Sequence, residues 1–213
     1  MRIASAVLLA LVAGPAWAGD AWIAEYLIGN AVGGKTLVLV RDETQVEYRM
    51  EGQASRIWRR TPDGVEMHEL HPDQKKLIAY SPGDLRTMGM VLDWEQLAGL
   101  VSPEVRRSSE IEESVRQFGQ MVVRYEGVDH SGQPVVLNWL PEIGLPALFK
   151  AVRPQESGVV PRANLELRKL SRLPAEQAFS SEEGLLEIDQ VDLGDMEMNP
   201  DMRRLTQDAR PGR

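Results

Sequence analysis

His68 and His71 form an H-x-x-H pair beside Glu66, Glu69 and Asp73, residue types that ligate zinc. On a strand, residues three apart point to opposite faces. Both rings would reach one ion only if Pro72 bends the chain sharply, and two surface histidines near a turn are the simpler reading. His130 lies in another turn with no obvious partner. The chain has three histidines and nothing resembling G-x-S-x-G, so it offers no setting for a Ser-His-Asp hydrolase. No acid, base or nucleophile can be nominated from spacing, and the expectation is a protein that is not an enzyme.

The run from Asp192 to Asp201 places oxygen ligands at alternate positions, as hard cations favour. It lacks the loop glycine and closing glutamate of an EF-hand, and Pro200 stiffens it. Asp192, Asp195, Glu197 and Asp201 are read instead as a docking motif for a protein partner, or as a plain solvated acidic segment. Met88 with Met90, and Met196 with Met198, carry the soft sulfur that suits Cu(I). Methionine more often fills irregular gaps in cores and pliable surfaces, so neither a metal nor a cofactor is expected.

The remaining candidate is an apolar face built by Leu37, Leu39, Val46, Tyr48, Met50, Val123, Tyr125, Leu137, Trp139, Leu145 and Phe149. Under a full helical cover these are ordinary core. If the sheet is curved and only one short helix covers it, leftover concave apolar surface suits an acyl chain, a lipoprotein or an apolar peptide.

Short strand-like runs divided by turn signals position that face. Residues 35 to 41 are rich in Leu and Val, and 44 to 50 alternate Val46, Tyr48 and Met50 with Gln45, Glu47 and Arg49. Residues 55 to 60 and 65 to 71 flank Pro62-Asp63-Gly64, a hairpin turn in which proline fixes φ and glycine accepts φ > 0. Another strand at 75 to 80 is bracketed by His71-Pro72-Asp73 and Ser81-Pro82-Gly83-Asp84. Asp93 caps a short helix over 92 to 101, which Pro103 ends or redirects. A second run begins near 110 and continues through 120 to 127, 134 to 140, 145 to 153 and 159 to 171. The fold class is α+β, mainly antiparallel: a curved, half-barrel-like sheet of about ten strands with one or two short helices.

The phrase Val136-Leu137-Asn138-Trp139-Leu140-Pro141-Glu142-Ile143-Gly144-Leu145-Pro146 resembles a recurring element of the LolA/LolB-like superfamily of bacterial envelope proteins. There, a strand ending in V-x-W-x-x-x-x-G-L-P turns and feeds the next strand. Pro141 and Gly144 shape a tight connection, and Leu145-Pro146 restarts an extended segment. The resemblance implies a half-barrel whose concave face receives acyl chains, as in carriers of lipoproteins across the periplasm. No functional residues of that superfamily map onto numbered positions here, and the acidic tail departs from its carriers.

Arg2, the apolar run from Ile3 to Val12 and the small residues around Ala16-Trp17-Ala18 read as a signal peptide cleaved after Ala18, with a periplasmic destination. The apolar run is too short to span a bilayer, which takes roughly 20 residues. The expected organisation is 1–18 signal, 19–174 antiparallel β domain and 175–213 acidic extension. With no cysteine, the chain has neither disulfide nor thiolate site, and its core must suffice without them. The formal charge of -8 becomes -9 once Arg2 leaves, since 24 basic residues fall to 23 against 32 acidic ones. That balance disfavours nucleic acid, whose phosphates demand basic surface. The expected function is binding or carrying a hydrophobic ligand. The alternative is a non-catalytic subunit of an envelope complex that docks a protein through its acidic tail.

Overall fold

The computed structural model describes residues 19–29, 34–107, 109–128, 132–151 and 164–193. The expected signal and its cleavage site, together with His130, Met196, Met198, Asp195, Glu197 and Asp201, lie outside them. Two antiparallel meanders form one open, curved, half-barrel-like sheet. The first comprises β1 (Asp20–Ile28), β2 (Lys35–Arg41), β3 (Gln45–Met50), β4 (Ser55–Thr61), β5 (Gly64–His71) and β6 (Lys76–Tyr80). The second comprises β7 (Glu110–Gln117), β8 (Gln120–Val128), β9 (Pro134–Leu140), β10 (Leu145–Ala151) and β11 (Leu165–Pro174). β11 returns beside β1 and joins the two meanders, while β12 (Leu186–Asp189) adds to β6 in parallel. The order is β12-β6-β5-β4-β3-β2-β1-β11-β10-β9-β8-β7.

Turn chemistry sets the first meander's register. Asp42 Oδ1 accepts from the backbone N–H groups of Thr44 and Gln45 at 2.7 and 2.8 Å, so the β2–β3 turn closes on its own side chain. Thr61 pairs with Gly64 across Pro62 and Asp63, giving the expected hairpin. A side chain at position 64 would meet both a φ of +136° and Pro82 Cβ at 3.3 Å, which leaves glycine.

The described residues hold four short α-helices where one or two were expected. α1 (Pro82–Thr87) stands where a turn was read: Ser81 caps it, Asp84 completes the capping box and Pro82 opens the first turn. α2 (Trp94–Gly99) starts at Asp93 as expected and ends at Leu100, whose φ of 62° breaks the helix. Pro103, expected to end or redirect that helix, follows its end and opens α3 (Pro103–Arg107). Leu85, Leu97, Leu100, Val101 and Val105 join the main core against Tyr26, Leu39, Val46, Trp58 and Leu137 of the sheet. α1 to α3 therefore line the inner face.

The twelfth strand was missed because it is four residues long and lies in acidic text. Residues 175–193, expected within a surface extension with helix near 175 to 180, provide α4 (Ala175–Ala178) on the outer face of β1 and then β12 on the edge of β6.

Candidate functional site

The expected ligand-binding residues converge, and the chain's own helices occupy the space above them. Leu37, Leu39, Val46, Tyr48, Leu137, Trp139, Leu145 and Phe149 are buried members of the main core, while Met50 and Tyr125 lie half-buried at its margin. Val123 is buried outside that cluster and Val122 lies within it, so β8 is covered on both faces at this point. The apolar face is thus present as expected, and its surface is packed under a cover running from α1 to α3.

Polar links pin the cover. Tyr48 Oη donates to the carbonyl of Leu97 at 2.5 Å, and Arg41 Nη1 donates to those of Ala98 at 2.8 Å and Gly144 at 3.1 Å. Arg41 Nη2 also donates to Ile143. Leu97 and Ala98 end α2, where carbonyls lack partners within the helix, so the sheet satisfies them from below. Burial raises the Tyr48 and Tyr26 hydroxyls far above their usual range, which keeps both as neutral donors, and Tyr26 Oη donates to Pro146 O at 2.9 Å. Burial also lowers Arg41 from its ordinary value. Trp139 lies between Gly99, where an added Cβ would sit 3.3 Å from Cη2, and the Arg106 guanidinium 4.4 Å from its ring centre.

Exposed apolar surface concentrates elsewhere. Ten large apolar side chains are exposed among the described residues, and Ile111, Val115, Phe118, Met121 and Val128 of the β7–β8 hairpin account for half. Among the described strands β7 also stands at one edge of the sheet. Ile111 is 67% exposed, and Phe118 sits at the turn with φ 53° before Gly119 at φ 73°. Positive φ is costly for an aromatic residue and easy for glycine. The run from near 110 and the strand over 120 to 127 are as expected from the sequence, and Phe118-Gly119 is the turn signal between them. A second exposed group lies in the cover, where Met88 and Val91 flank half-buried Met90.

The histidines separate as strand geometry requires. His68 lies on the outer face against Arg59 and Glu182, while His71 Nε2 meets Glu69 Oε1 at 3.1 Å. Among the described residues no three His, Asp or Glu side chains gather as metal ligands. Asp192 is exposed in a 3-10 turn after β12.

Glu47 and Glu69 are buried carboxylates with no signal in the sequence beyond their places in alternating strands. Burial raises Glu47, but hydrogen bonds from Arg49, Ser180 and Ser55 outweigh it and hold it below the ordinary carboxylate range. The same competition leaves Glu69 lowered, through His71 and Arg56.

No family model and no curated protein matches the chain. Solved structures resemble it weakly. An uncharacterised conserved protein from Thermus thermophilus aligns at 13% identity and TM-score 0.47 over 81% of this chain and 91% of its own. MucB aligns at 10% identity and TM-score 0.39 over 81% of this chain. A putative outer membrane lipoprotein-sorting protein domain from Vibrio parahaemolyticus gives 10% and 0.21 over 80% of this chain and 90% of its own. The chain spans 61% of MucB and 33% of the PNGF-II structure, which it also resembles. The LolA-like resemblance reaches this level of weak architectural likeness.

Proposed function

We propose that this protein is a non-catalytic binding protein of the bacterial envelope that holds a protein partner on the β7–β8 end of its sheet. The observation that supports the reading is the concentration of exposed apolar side chains on an edge hairpin, while the concave face is filled by the chain's own helices. The exposed side chains flank the edge on both faces, since Val115 pairs with Val122 and Met121 with Arg116, and a sheet edge accepts an extended segment by strand addition. The amino-terminal segment that reads as an export signal supports the periplasm as the location. Replacing Val115 and Met121 together by lysine tests the reading. The double variant should keep the wild-type far-UV spectrum and unfolding midpoint and lose a specific partner retained by wild-type protein from envelope extract. Retention of that partner by the variant would count against the hairpin.

The second reading is an apolar ligand, an acyl chain or hydrophobic peptide, taken between sheet and cover. It is favoured by the segment Met88 to Trp94, where Val91 is 99% exposed and Met90, Leu92 and Trp94 lie half-buried against the core. Short helices draw little stability from their own backbone and depend on packing, so this cover is held by its contacts with the sheet. Co-purified lipid detected by mass spectrometry, or uptake of fluorescent fatty acid, would support this reading. Absence of both leaves the protein-partner reading alone.

A further inference from the structure

The segment after β11 crosses the back of the sheet. Ala175 and Ala178 pack on Ala21 and Val40. Leu185 then covers Ile57, Leu70 and Leu77 on the same outer face. At Leu186 the chain turns the edge, donating to Lys75 O at 2.8 Å, and β12 pairs with β6.

Two charged latches hold this crossing. At the first, Glu47 Oε2 accepts from the Ser180 backbone N–H at 2.9 Å and from Arg49 Nη2 at 2.6 Å, while the same Arg49 nitrogen donates to Ala178 O at 2.6 Å. Ser55 Oγ also donates to Glu47. At the second, Glu182 meets Arg59 Nη2 at 2.8 Å and His68 Nδ1 at 2.9 Å. The rest of the attachment is short: α4 is one turn with Ala175 and Ala178 buried, and β12 is a four-residue strand, in the one parallel pairing among the described strands, that sends Ile188 into the main core. Parallel pairing is slightly less stable per residue, and segments with few buried contacts open before the body of a fold.

We propose that residues 175 to 189 form an acid-releasable strap, docked on the outer face through Glu47 and Glu182, whose detachment uncovers the β6 edge and the apolar patch around Ile57, Leu70 and Leu77. The strap lies at the edge of the sheet opposite the β7–β8 hairpin and is independent of partner binding there. The charged groups facing Glu47 are Arg49 alone; Ser55 and the Ser180 backbone are neutral donors. Those facing Glu182 are Arg59 and His68, with burial opposing them and the net direction downward. Both carboxylates are therefore held below their ordinary range while docked. Their contribution is complete above that range and is lost as pH falls through the lowered values.

Hydrogen exchange followed by mass spectrometry on the full chain, corrected for the intrinsic rate at each pH, tests this. Peptides covering 178–189 should exchange at least tenfold faster at pH 4 than at pH 7, while peptides from β1 and β10 keep their protection. At pH 7, Glu47→Gln should give the same selective loss. Glu182→Gln, at a more exposed site, serves if the buried substitution impairs folding. Exchange of strap and sheet in step, or a strap unaffected by acid and by both substitutions, would overturn the proposal.

Discussion

The hydroxyl of Tyr48 in β3 donates to the carbonyl oxygen of Leu97 at the end of α2, 49 residues later in the chain, at 2.5 Å. This bond ties the middle of the first meander to the helical cover at a point closed to water. Tyr48→Phe removes the donor and leaves a buried carbonyl unpaired, which costs about 1–3 kcal/mol. Urea unfolding should show a lower midpoint with an unchanged slope.

Arg41 does at the end of β2 what Tyr48 does in β3, with a fork that reaches Ala98, Ile143 and Gly144. A lysine ammonium has no planar fork and cannot span both α2 and the β9–β10 connection. Arg41→Lys should therefore destabilise by about 1–3 kcal/mol, since carbonyls at two separate elements lose their donor. Thermal unfolding of the single variant against wild type measures it.

Gly99 faces Trp139 where cover meets sheet, with 3.3 Å left for a Cβ. Gly99→Ala should cost about 1–3 kcal/mol by overpacking, despite the better helix propensity of alanine. The two effects have opposite signs, so a stabilised variant in a melting experiment would show that the cover yields readily at this point.

Glu69 supplies a pH signature distinct from the strap. It lies on β5 between Arg56 and His71, and its lowered pKa makes its contribution complete above the ordinary carboxylate range and lost as pH falls through the depressed value. Stability from urea titrations should hold from pH 7 to pH 5.5 and fall below about pH 4, the range where unpaired carboxylates titrate. Glu69→Gln should lower the plateau and flatten that fall.

Much of the sheet was legible because its strands alternate and its turns carry Asp, Pro and Gly: 35–41 and 134–140 match β2 and β9. The apolar face was legible for the same reason. Its cover was not, because Ser81-Pro82-Gly83-Asp84 reads equally as a turn and as a capped helix start, and only the packing of Leu85 decides between them. β12 was hidden because a four-residue strand in acidic text owes its existence to the free edge of β6. The hairpin tip was overlooked because alternation marks which residues share a face, while exposure depends on what else covers that face.

Phe118 holds a backbone conformation that suits glycine, at a tip where its ring is 43% exposed. Phe118→Gly should raise stability by about 0.5–1 kcal/mol through relief of the left-handed conformation. If the ring serves a partner, the same change weakens binding, so stability and function move in opposite directions.

Photocrosslinking in producing cells tests the central claim most directly. A photoreactive phenylalanine analogue is placed at Phe118, at Val115 and, as a control, at Leu173, which is exposed in β11. The expected result is a discrete protein adduct of one size from positions 118 and 115 and none from 173. Absence of adducts at the hairpin, or the same adducts from all three positions, would contradict it.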